Sequence, residues 1–212
     1  MNAEQLIERM RPEVERLASG IEMVQRMRAA EVDQAQLQRL VIAEYHCQEA
    51  ELTTYGSLVG RHRHEVPAGF FGFTVHTVAQ ARRLLRPAAQ SIGLQTDDMF
   101  PPASGRLDQA MSMPAMLTGA GEAALYLHSD LSVWCTTFSE LVDAARRLDN
   151  IPKEIIEYMD WWGSEPPPEI ADGTREVLAY ALSQGEDPER IVDFTRHLAS
   201  SVSTYWDYVL GG

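Results

Sequence analysis

Cysteine is scarce in this chain. Two thiols in 212 residues, Cys47 and Cys135, cannot build a disulfide framework, and neither stands in a CxxC or Cys/His cluster of the kind that holds zinc. Reduced thiols are expected. No stretch approaches the ~18 consecutive apolar residues of a membrane span, and the opening MNAEQLIERMRPEVERL carries charges every few residues, unlike a secretory leader. These absences predict a soluble, cytoplasmic protein with no membrane partner. Positive charge is short as well: 18 Lys+Arg against 31 Asp+Glu leave a formal net charge of −13. A nucleic-acid partner is not expected, because binding a polyanion needs a basic footprint that releases counterions. There is no phosphate-cradling glycine loop, no GxSxG and no Walker or Rossmann pattern. Period-two alternation is missing over any strand's length, and Asp172-Gly173 is flanked by helix formers rather than β-branched runs.

What the chain does have is 45% apolar and 23% charged residues, the balance of a folded globular protein. Leu6, Met10, Val14, Leu17, Ile21 and Val24 recur at steps of three and four, which predicts an amphipathic helix disturbed at Pro12. Asp33 with Gln36 three residues on has the form of a capping box, opening a helix that runs to about Ser57. HEVPAGFFGF reads as Pro/Gly punctuation before a third helix that ends at Gly93, and TDDMFPPASG reads as a surface loop. Helical patterning resumes from about Leu107, with a break at Gly119 and Gly121, and its longest part carries Leu127, Leu131, Trp134, Phe138, Leu141 and Val142. Pro152 opens a shorter helix, GSEPPPEIADG separates it from the next, and Asp187-Pro188 caps and starts the last. The expectation is an all-α bundle of about seven helices forming a single helical domain over 1–212, with no fixed-period repeat.

Charge is unevenly spread. Residues 61 to 86 hold Arg61, Arg63, Arg82, Arg83 and Arg86 against Glu65 alone, whereas 153 to 193 is crowded with Asp and Glu. The basic stretch either steers an anionic ligand, docks a second subunit, or is a solvated helix face. Glu44 and Gln48 fall on the same line of the second helix as Leu37, Val41, Leu52 and Tyr55, so polar groups interrupt a face that should be buried. A buried carboxylate costs several kcal/mol unless something pairs it. Glu44 therefore meets a ligand, proton or metal inside the bundle, or pairs with an arginine of a neighbouring helix. Cys135 could act as a nucleophile only if a neighbour lowered its pKa, and buried cysteine is otherwise a small hydrophobe. Trp134, Phe138, Tyr158, Trp161, Trp162, Tyr205 and Trp206 would line a pocket or fill a core. None of the six histidines shows the HxxxH or ExxH spacing that bundle metal sites use.

In order, LVIAEYHCQEAEL, ARRLLRPAAQSIGL, a loop and a long helix, PKEIIEYMDWW and ERIVDFTRHLASSVSTYWDYVLGG resemble the haem-oxygenase-like superfamily, particularly its TenA, PqqC and CADD-like branches. The resemblance covers nearly the whole chain and lies in helix order and aromatic placement. It implies a bundle of about seven helices, commonly a homodimer, with a central pocket for a small molecule. Relatives that hold two irons place a carboxylate and a histidine before the IGL-like helix end, where this chain has His76 followed by Gln80 and Ala81. They place two histidines and an aspartate near the segment matching EIIEYMDWWGSE, which here contains no histidine. The thiaminase-like branch uses an acid on the second helix, a position that Glu44 fits. Its cysteine falls where Trp134 stands, one residue from Cys135, and Ser203 lies near the place of its last glutamate.

The resemblance thus implies a small-molecule enzyme without the usual metal ligands, serving a specialised biosynthetic pathway. Glu44 and Cys135 are its candidate catalytic residues, and Gln48, Tyr55, His76, Trp134, Phe138, Tyr158 and Tyr205 its substrate-binding set. No cofactor is expected. Two alternatives stand beside it: a metal-dependent oxidase drawing iron ligands from Glu44, His76, His128, Glu140 and His197, and a non-catalytic bundle that binds a ligand or protein.

Overall fold

The computed structural model describes residues 1–99, 107 and 119–211. Among them are nine α-helices and no strand: α1 (Ala3–Ala18), α2 (Glu22–Arg28), α3 (Gln34–Arg61), α4 (Glu65–Ser91), α5 (Ala120–Ala145), α6 (Lys153–Gly163), α7 (Pro168–Ser183), α8 (Pro188–Thr195) and α9 (Leu198–Leu210). They are the seven expected helices, the first and last each bent in two. Pro12 does not disturb α1, which runs unbroken to Ala18. The bend comes at Ser19-Gly20, where Gly20 takes a φ of 70° that an L side chain would resist.

Local chemistry sets the helix ends. Asp33 accepts from the Gln36 backbone N–H and Gln36 reaches back to the Asp33 N–H, closing the capping box. HEVPAGFFGF departs from its expected punctuation, being helical from Glu65: Pro67 falls in the first turn, where its missing N–H costs nothing. Gly93 follows the end of α4 with a φ of 79°. A 3₁₀ turn at Thr96–Met99 follows, and the rest of TDDMFPPASG lies outside the described residues. Pro152 caps α6 instead of opening it as its first residue, and α7 starts at Pro168, inside the stretch read as a separator.

Helices α3 and α4 pack together along one side, and α5 packs against α1, α2, α6, α7, α8 and α9. Helix α5 is therefore buried on nearly every side, from Ala120 through Ala145. The main core takes residues from α1 to α9, with Phe71, Phe138, Tyr158 and Tyr205 fully enclosed. A second cluster of Leu6, Met10, Leu125, Leu178, Ile191 and Val192 seats α1 on α5, α7 and α8. Glu44 of α3, Tyr158 of α6 and Tyr205 of α9 converge in the interior.

Candidate functional site

Glu44 is 6% exposed and pairs with no arginine among the described residues. Tyr205 donates its hydroxyl to Glu44 Oε1 at 2.5 Å, and Tyr158 donates to Oε2. The Tyr158 oxygen in turn accepts from Gln48 Nε2 at 2.7 Å and from Trp162 Nε1 at 3.0 Å. Two of these links follow from helical spacing, since Gln48 stands one turn after Glu44 and Trp162 one turn after Tyr158. The Tyr158 oxygen already receives two donors, so its own proton goes to Oε2. A proton taken up by Glu44 therefore sits on Oε1, facing Tyr205.

Two further acids share the region. Asp130 of α5 is buried and accepts from Trp134 Nε1 at 2.8 Å, and Glu51 stands two turns after Glu44 on α3. Among the described residues none of the three carboxylates has an ion-pair partner. Loss of water disfavours their charged forms. Burial raises the Glu44 carboxyl, against the pull of its two tyrosine hydroxyls. It pushes Asp130 up to about 7, with Trp134 opposing and Glu44 adding to the rise. Glu51, which is half-buried, is raised above its usual range by loss of water, then by Asp130 and Glu44. Burial and the Glu44 charge hold Tyr158 and Tyr205 well above 10, so both remain hydroxyl donors.

A cavity of ≈ 20 Å³ lies beside Glu44, with Glu51, Gln48, Leu131, Trp134 and Trp162 in its wall. That is room for about one water. The Gln48 Oε1 is buried and has no hydrogen-bond partner among the described residues. Trp134 meets the Tyr205 ring at 4.5 Å between centroids and Phe138 at 6.0 Å, so the acids are walled by aromatic surface. Leu131 and Trp162 face both ways: they also line an outer cleft of ≈ 260 Å³ with Cys135, Trp161, Pro166 and Pro167.

Of the candidate site residues, the structure brings Glu44, Gln48, Trp134, Phe138, Tyr158 and Tyr205 together. Tyr55 is buried one turn beyond Glu51, whose charge helps hold its hydroxyl well above 10 after burial itself. Cys135 lines the outer cleft instead of the cavity, and burial, aided by Asp130, pushes its thiol up to about 11. At neutral pH it is a protonated thiol. Neither cysteine is in a disulfide. His76 is exposed on α4 against Gln80, 3.3 Å away, and takes no part in the cavity wall. Sequence reasoning missed Glu51 and Asp130, although Glu51 prolongs the Glu44–Gln48 line and Asp130 stands one helical turn before Trp134.

The alternative iron ligands do not meet. Glu140 pairs with Arg28 at 3.1 Å, His76 is on the surface, and His197 is exposed beside Phe194. Among the described residues no group of three or more His, Cys, Asp or Glu could hold a metal ion, so the haem-oxygenase-like metal site does not fit this donor set.

This arrangement has the haem-oxygenase-like fold. Three solved structures share it: PF1337, a TenA homologue from Pyrococcus furiosus, at 13% identity, 99% of this chain, 100% of that one and a TM-score of 0.74; a domain of unknown function with a heme oxygenase-like fold from Shewanella denitrificans OS217, at 12%, 100%, 91% and 0.68; and a protein described as a TenA-like thiaminase from Sulfolobus solfataricus P2, at 15%, 100%, 96% and 0.64. No protein-family model and no curated protein matches the sequence. Among the described residues no helix is long and apolar enough to cross a membrane.

Proposed function

We propose that this chain is a metal-independent, TenA-like small-molecule enzyme, a cytoplasmic homodimer in a specialised biosynthetic pathway, acting by proton transfer at Glu44 on a small organic cation or protonated nitrogen heterocycle. One observation carries the substrate class: Glu44, Glu51 and Asp130 are gathered inside an aromatic wall with no protein cation among the described residues to balance them. A positive ligand would supply the missing charge, stack on Trp134 or Trp162, and return the three carboxyls toward their ordinary range. Glu44, raised by burial before the ligand binds and lowered by the ligand's charge, is placed to give up a proton from Oε1 and take it back, with Tyr205 as the adjoining hydroxyl. Tyr158, fixed by Gln48 and Trp162, holds the carboxyl in orientation.

The closed cavity requires a way in. Leu131 and Trp162 are shared by the cavity and the outer cleft, which makes the wall between them the proposed entry. The thiaminase-like neighbour makes thiamine a suitable first probe. Calorimetric titration with thiamine and with a panel of aromatic ammonium ions, each matched to a neutral analogue, is expected to show saturable binding of cations only, lost in Glu44→Gln. Equal binding by the variant, or a preference for neutral analogues, would remove the proposal. The small cavity also favours a second reading, a non-catalytic bundle that binds a ligand after opening. In that case Glu44→Gln leaves cellular function intact.

A further inference from the structure

A second concave site lies outside the acidic interior, on the opposite charge. Between α3, α4 and the turn after α4 is a cleft of ≈ 440 Å³, floored by Leu85, Ala89, Leu94 and Met99. This is the size of a small-molecule pocket. Arg82 and Arg86, one turn apart on α4, stand over that floor, and Gln90 and Gln95 add amide groups at its rim. Both arginines belong to the basic stretch of a chain whose net charge is −13.

The two guanidiniums are held differently. Arg82 is partly buried, lies over the Tyr45 ring at 4.6 Å and pairs with Glu49. Ring and carboxylate fix its plane before anything binds. Arg86 is exposed and has no ion-pair or hydrogen-bond partner among the described residues. Glu49 balances one of the two positive charges, so the cleft is complete with a single added negative charge. The adjoining floor is apolar, and an inorganic ion would leave it uncovered.

We infer that this cleft binds an amphipathic monoanion, a carboxylate on an apolar body, with the head between Arg82 and Arg86 and the body on Leu85, Leu94 and Met99. The site is independent of the Glu44 proposal, yet it adjoins the same helix: Met99 O bonds His46 Nε2 at 2.7 Å, and Tyr45 and His46 directly follow Glu44.

The test is calorimetric titration of the full chain with octanoate, octyltrimethylammonium and inorganic phosphate in parallel. Octanoate is expected to bind saturably at one per chain, octyltrimethylammonium not at all, and phosphate much more weakly. Arg86→Gln, a surface change that leaves the packing intact, should weaken octanoate by about tenfold, the scale of a lost charge-assisted hydrogen bond. Arg82→Gln should weaken it further, because Tyr45 and Glu49 lose the group they position. Unsaturable octanoate, unchanged binding in Arg86→Gln, or phosphate binding as tightly as octanoate would each overturn the assignment. So would an oligomer that dissociates in Arg86→Gln without octanoate binding to either form, since the cleft would then be an interface between copies.

Discussion

At Tyr158 three hydrogen bonds meet on one oxygen, and at Tyr205 the hydroxyl serves Glu44 alone among the described residues. The two phenylalanine substitutions therefore differ in cost. Tyr205→Phe orphans one carboxyl oxygen, at about 1–3 kcal/mol. Tyr158→Phe also strands Gln48 Nε2 and Trp162 Nε1, and urea unfolding should show at least about twice that loss. Equal costs would mean the network is not shared as described. Asp130 gives a pH dependence with a definite sign. Its carboxyl is raised from 3.8 to about 7, so the native state holds a proton the unfolded chain has released between those values. Stability from this group is full at acid pH and falls as pH rises toward 7. Asp130→Asn still accepts from Trp134, and its unfolding free energy should lose that part of the slope and exceed wild type at pH 8.

At the scale of elements, α5 owes its start to a distant residue. Glu186, between α7 and α8, accepts from the Ala120 and Gly121 backbone N–H groups at 3.0 Å each. Glu186→Ala should cost about 1–2 kcal/mol and Glu186→Gln clearly less, read from thermal melts. Helix α1 is held by packing more than by charge. Leu6, fully buried against α5, α7 and α8, should cost about 2–5 kcal/mol on change to alanine. Arg9→Ala, which breaks an exposed pair with Glu189, should cost under about 1 kcal/mol. These contrasts mark what was legible in the sequence. The Asp33–Gln36 box is local and could be read directly, as could the interruption of an apolar stripe by Glu44 and Gln48. Glu186 reaches across 65 and 66 residues, and nothing near Gly119 announces it. The partners of Glu44 lie 114 and 161 residues away. The stripe showed that a partner was required, but tertiary packing alone decided that it would be two tyrosines and no arginine. Cys135 was placed on the right helix, and a one-residue step, about 100° around the axis, carries it to the outer cleft.

Across the whole molecule, the acid excess makes stability sensitive to salt. A net charge of −13 repels itself in the compact state. Raising ionic strength from about 0.01 to about 0.15 M shortens the Debye length from about 30 to about 8 Å, and the melting temperature should rise by a few degrees. A flat or falling response would show that paired surface charges already offset the excess. The enclosed interior has a consequence for time as well as for space. With ≈ 20 Å³, the cavity beside Glu44 has room for about one water and none for an organic guest as it stands. Under the proposed function, capture at Glu44 would wait on a parting of Leu131 and Trp162, which line both the cavity and the outer cleft. In a stopped-flow record the observed rate should level off with ligand concentration at the frequency of that parting, so the proposed capture would be timed by the opening before any proton moves.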